Sequence, residues 1–100
     1  MNHLKPKKGY LYILASKTDG AIYVGVTSDL MKRVYEHKYL AVGGHTKLYH
    51  IKRLVYFEEY EDVRDAIKRE KQIKKWSRAW KLDLIVKDNP KWLDLYYEIT

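Results

Sequence analysis

Apolar positions along the chain change their spacing several times, and each change marks an element. Gly9–Ser16 is an unbroken run of strand-forming residues. It stops at Lys17-Thr18-Asp19-Gly20, where Asp-Gly is a strong hairpin signal, and Ala21–Val26 resumes the strand pattern. The two runs are therefore expected to pair antiparallel. Thr27 or Ser28 is then expected to cap a helix, with Asp29 favourable in its first turn and Leu30 and Val34 on its buried side. That helix runs to about Leu40, and Gly43-Gly44 opens a loop through Tyr49. Lys52–Glu58 reads as a third strand. A second helix begins near Glu61-Asp62 and continues to about Arg78 or Trp80, acidic early and basic late as the helix dipole favours. Lys81–Val86 reads as a short further helix or an extended segment, Asp88-Asn89-Pro90 as a turn, and Trp92–Tyr96 as a last helical turn or two. The order β-β-α-β-α plus a C-terminal helical tail predicts an α/β (α+β) fold, a three-stranded, mainly antiparallel sheet flanked by helices.

Length and composition narrow the function classes. One hundred residues allow a single core, so residues 9–100 are expected to form one domain behind a loosely held basic lead-in, residues 1–8. No apolar run approaches the roughly 18 residues of a membrane span. Lys5, Lys7 and Lys8 before Tyr10–Leu14 imitate a signal peptide, but the apolar run is short, holds two tyrosines and enters a polar turn. The absence of cysteine excludes disulfides, thiolate nucleophiles and cysteine-based zinc sites, and fits a reducing cytoplasm. No phosphate-loop glycine pattern or Gly-x-Ser-x-Gly is present, and His45 and His50 have no matching acidic partner for zinc. The balance of 20 Lys+Arg against 13 Asp+Glu, a net +7, favours a polyanionic partner, and ten tyrosines offer faces on which bases can stack.

Polar residues on faces that should be apolar carry the chemistry. In the second helix Val63, Ala66, Ile67 and Ile73 define an apolar stripe, and Glu70 falls in its middle. A carboxylate there either snorkels to a basic neighbour or reaches a cleft and holds a metal ion. In the first helix Arg33 and His37 lie one turn apart beside Leu30 and Val34, a spacing that lets both act on one phosphate. Tyr10 and Tyr12 share one face of the first strand, and Tyr23 shares a face of the second with Gly25. Gly25, lacking a side chain, would let a substrate backbone approach beside Tyr23. Lys68, Lys71, Lys75 and Arg78 form a basic face able to follow a phosphate backbone, or simply a solvated side.

Taken together these residues resemble a GIY-YIG nuclease domain. Tyr10-Leu11-Tyr12 and Tyr23-Val24-Gly25 resemble the two half-motifs, followed by Thr27-Ser28-Asp29-Leu30, then Arg33 and His37. Residues 66–76 resemble the helix that carries the family's metal-binding glutamate. Asp88-Asn89-Pro90-x-Trp92 resembles the C-terminal element of its small stand-alone bacterial members, which are similar to the N-terminal cleavage domain of the excision-repair endonuclease. Tyr10 replaces the glycine of the first triplet, and the likeness runs from about Gly9 to Leu95. The resemblance implies a DNA endonuclease that hydrolyses phosphodiesters with one Mg²⁺ or Mn²⁺ held by Glu70. Arg33 would neutralise charge on the phosphoryl oxygens, Tyr12 or Tyr23 would orient or deprotonate the attacking water, His37 would assist proton movement, and Asn89 would support the site. Two alternatives stand beside it: a non-catalytic nucleic-acid-binding module on the same scaffold, and a domain recruited by a repair protein through exposed Trp and Tyr.

Overall fold

The Asp-Gly turn folds the first two apolar runs onto each other. Asp19 takes a left-handed conformation (φ 56°), and the Gly20 amide donates to the Lys17 carbonyl at 3.0 Å. In this computed structural model, which describes residues 5–40, 44 and 49–100, β1 spans Gly9–Ala15, β2 Ile22–Thr27 and β3 Arg53–Tyr60. The sheet order is β2-β1-β3, antiparallel at both seams, with Tyr12 opposite Gly25 and Leu14 opposite Tyr23. A register shift between Ile13 and Leu14 interrupts the β1–β3 pairing. The helices with described bounds are α1 (Leu30–Tyr39), α2 (Val63–Lys74), α3 (Arg78–Asp88) and the single-turn α4 (Tyr96–Ile99). The fold is thus α+β, as expected, and among the described residues no helix is long and apolar enough to cross a membrane.

Alternation along β1 divides the core into two. Leu11, Ile13 and Ala15 point to one face and pack with Val24, Val55, Ile73 of α2, Ile85 of α3 and Trp92. Tyr12 and Leu14 point to the other, where Leu30 and Val34 of α1, Ile51, Leu54 and Tyr96 close over them. Because β1 is central and covered on both faces, its apolar run is nearly continuous rather than alternating.

Several expected boundaries are corrected. The N-cap of α1 is Asp29, not Thr27 or Ser28: its carboxylate accepts from the Lys32 amide at 3.2 Å, while the Thr27 hydroxyl accepts from the Asp29 amide at 3.1 Å. The long second helix is two helices. Ser77 lies in extended conformation and accepts from the Trp80 amide, starting α3 afresh after α2 ends at Lys74. Lys81–Val86 is helical within α3, and the last helical turn is Tyr96–Ile99 rather than Trp92–Tyr96, Trp92 itself being left-handed (φ 55°). Of the expected loose lead-in, residues 1–4 lie outside the described residues. The Lys7 carbonyl accepts from the Val63 amide at 2.7 Å, and Lys8 pairs with Glu59 at 2.9 Å. The loop opened by Gly43-Gly44 falls mostly outside the described residues, His45 included.

Candidate active site

Register brings the two tyrosine triplets to one face of the sheet. A Cβ built on Gly25 would lie 2.6 Å from both the Cζ and the hydroxyl oxygen of Tyr12, and 2.9 Å from Cε2 of Tyr23. The space above Gly25 is therefore filled by the Tyr12 phenol, not left open to a substrate backbone as the sequence suggested. Glycine is required here by close approach, since a methyl group would displace the ring that the site is built around.

Three side chains meet around that ring. The Tyr12 and Tyr23 ring centroids are 6.2 Å apart, His37 lies 6.1 Å from Tyr12 and 5.7 Å from Tyr23, and the Tyr12 hydroxyl is 3.3 Å from His37 Nε2. Arg33, one turn before His37, hydrogen-bonds Tyr12 and reaches Glu36 Oε1 at 3.1 Å. Tyr12 is 1% and His37 3% exposed, whereas Tyr23 and Arg33 are half-buried and face outward. Burial pushes the Tyr12 phenol up to about 12, against the opposing pull of the Arg33 hydrogen bond; the charge of Glu70 adds to the rise. Glu70 comes from α2 on the opposite layer, yet is close enough for its carboxylate to act on Tyr12. Its side chain is 21% exposed and pairs with Lys74 at 3.3 Å, so the snorkelling partner weighed from the sequence is real.

His37 is kept neutral. Burial first, then the Arg33 guanidinium, hold its imidazole below the usual value of 6.5, with Glu36 opposing. The unfolded chain then takes up this proton at higher pH than the folded one, so the stability linked to His37 is complete above about pH 6.5. It is lost as pH falls through that value toward the folded one. Urea midpoints measured at about pH 7.5 and 5.5 should fall at the lower pH, and His37→Gln should flatten the difference. An identical drop in the variant would assign the effect elsewhere.

The remaining sequence candidates separate from this group. Asn89 is buried, but its amide nitrogen donates to the carbonyls of Val55 (3.0 Å) and Leu93 (2.9 Å), and its oxygen accepts from the Leu93 amide (3.0 Å). It clamps the chain after α3 onto β3 rather than supporting the tyrosines. Arg78, its side chain half-exposed, donates through one guanidinium nitrogen to the carbonyls of Asp19 and Gly20, tying α3 to the hairpin turn. Lys68 and Lys71 on α2, and Lys75 at its C-cap, are exposed.

Two polar clusters had no counterpart in the sequence reading. Glu58 accepts from Arg69, Tyr56 and Tyr60; burial would raise its carboxyl, but these donors outweigh it and hold it below the usual range. The parity of Tyr56, Glu58 and Tyr60 on one strand face was the available signal. Lys38, next to His37, pairs with Asp94, whose other oxygen accepts from the amides of Leu54 and Tyr96 at 3.1 Å. These partners are more than fifty residues apart, and no local pattern links them.

Known proteins supply the remaining constraint. Residues 8–83 match the GIY-YIG catalytic domain. The UPF0213 protein of Staphylococcus saprophyticus is 40% identical over 78 residues, covering 78% of this chain and 94% of that one. The UPF0213 protein of Syntrophus aciditrophicus is 42% identical over 85 residues, covering 84% of this chain and 95% of that one. The solution structure of the UPF0213 protein from Bacillus halodurans superposes with a TM-score of 0.52 at 28% identity, covering 82% of this chain and 86% of that one. With the paired tyrosines, the Arg33–His37 turn and the Glu70 helix all inside the matched span, the chain belongs to the GIY-YIG family, a nuclease superfamily whose substrates are nucleic acids.

Proposed function

We propose that the protein is a divalent-metal-dependent DNA endonuclease that hydrolyses phosphodiesters at the Tyr12–Tyr23–Arg33–His37 group. The observation that carries this reading is the meeting of two phenols, a guanidinium and a neutral imidazole from three elements on one face, with a carboxylate from a fourth within electrostatic reach. A purely structural tyrosine cluster would not need the arginine.

Exposure separates the two tyrosines. Tyr12 is enclosed and held as a neutral phenol, so it cannot touch a phosphate; it positions Arg33 and His37 by hydrogen bonds. Tyr23, half-buried at the rim, is the phenol that reaches a water in line with phosphorus. Arg33 presents its guanidinium beside it, where a planar fork can meet two phosphoryl oxygens as charge builds on them. His37 contacts both rings and stays uncharged near neutral pH.

Glu70 suits a hard cation. The donor is a single half-buried carboxylate without thiol or paired imidazole, and among the described residues no three His, Asp or Glu gather to make an all-protein cage. That set suits Mg²⁺ or Mn²⁺ retaining most of its waters. A divalent ion there would supply positive charge that favours a neighbouring phenolate and stabilises the leaving oxygen.

Incubating the protein with supercoiled plasmid in Mg²⁺ or Mn²⁺ should convert it to nicked circles, and chelation with EDTA should stop the conversion. If supercoiled, branched and single-stranded DNA all remain intact in either metal, the hydrolase reading fails and a binding module is left.

A further inference from the structure

The net charge is not spread evenly. Residues 63–91 hold ten Lys and Arg against four Asp and Glu, a net +6 of the chain's +7. Next to this charge, on the side of α2 that carries Arg69 rather than Glu70, Trp76, Trp80, Asp83, Leu84 and Lys87 line an open groove of about 270 Å³. Trp76 is fixed from behind, with the Arg69 guanidinium 5.1 Å from its ring. Trp80 meets Trp76 edge-on at 6.0 Å and 79°, and remains 60% exposed. An indole so exposed contributes little to the core, and the fold has not covered it.

We infer that the Trp76–Trp80 groove is a second nucleic-acid contact, one that stacks an unpaired base of single-stranded DNA flanking the cleavage site. The inference rests on the nucleic-acid reading above and adds to it a preference for substrates with an unpaired strand. Three features choose this occupant. The indole of Trp80 offers a planar face, and only an unstacked base has a free face to set against it. Lys75, the C-cap of α2, directly precedes Trp76, and Lys87 lines the groove wall; among the described residues neither makes an ion pair. They are free to meet the phosphates beside a stacked base. Asp83, the one anion in the lining, keeps phosphate off the groove floor and can accept from a base N–H. An apolar peptide would find the same groove, but nothing would match the cations around it.

The test uses a labelled (dT)15 oligonucleotide in EDTA, where no cutting can occur. Wild-type protein should bind it and show quenched tryptophan emission. Trp80→Ala should bind it about tenfold more weakly, Trp80→Phe should keep most of the affinity, and binding to a blunt duplex should be unchanged. Circular dichroism checks that the exposed substitution leaves the fold intact. Equal affinity of Trp80→Ala and wild type for (dT)15 overturns the inference. So does an equal loss on duplex, which would make the groove a general electrostatic surface. A wild-type dimer that becomes monomeric in Trp80→Ala also overturns it, because the groove would then belong to a second copy. Binding through Trp80 without any plasmid nicking leaves this inference standing and sinks the hydrolase reading; nicking with an unaffected Trp80→Ala does the reverse.

Discussion

Replacing Arg33 with alanine is expected to lower the single-turnover nicking rate by about 10²–10³-fold, the scale for removing one preorganised donor to developing charge. The fold should survive. The Arg33 side chain is 37% exposed, and Tyr12 keeps its His37 partner after the guanidinium is gone. Arg33→Lys retains the charge but loses the fork, and should recover only part of the rate. Glu70→Gln keeps shape and removes charge, so it should cost as much as Arg33→Ala, and a higher Mn²⁺ concentration should relieve it where it cannot relieve Arg33→Ala. Thermal melting alongside the kinetics separates chemistry from folding. Wild-type cleavage by Arg33→Ala would reject the assignment of this guanidinium.

The largest stability effect is expected at a residue outside the matched domain. Lys38 is only 9% exposed, and Asp94 is its carboxylate partner. Asp94→Asn leaves that ammonium buried without a counter-ion, which costs about 3–5 kcal/mol. The Tyr96 and Tyr97 rings, 5.3 and 5.4 Å from Lys38 Nζ, hold the expectation to the lower end. At about 4–8 °C per kcal/mol for a domain of this size, a loss of about 3 kcal/mol should drop the midpoint by about 12–24 °C. Lys38→Met should cost less, because Asp94 keeps the amides of Leu54 and Tyr96 as donors. Urea unfolding of the two variants decides it, and a larger loss in Lys38→Met than in Asp94→Asn would contradict the account.

What was legible in the sequence was local. The Asp-Gly hairpin, the triplets on its strands, and the Arg33–His37 turn follow from period and turn chemistry over fewer than twenty residues. The break between α2 and α3 was missed because the pattern stays helical on both sides of Ser77, and a serine in a basic run gives little warning that it caps. Gly25 was read correctly as a point of close approach, but the approaching group was internal, since whether Tyr12 leans over it depends on register. Asn89 and Arg78 are polar and suitably placed in the sequence, yet Asn89 is engaged by the backbone of Val55 and Leu93, and Arg78 by the hairpin carbonyls through one nitrogen. Long-range polar pairs such as Lys38–Asp94 and Arg69–Glu58 require the tertiary structure, because nothing in sequence spacing brings their partners together.

The central position of β1 has a consequence for biosynthesis. The β1–β2 hairpin closes across a handful of residues and can form as soon as it leaves the ribosome, whereas the β1–β3 seam joins Gly9 to Tyr60 and must wait for half the chain. The helix bearing Arg33 and His37 waits longer still, because its partner Asp94 follows Lys38 by 56 residues. The nascent chain therefore displays its signature tyrosines early but cannot gather them into one arrangement until Asp94 and Tyr96 have emerged.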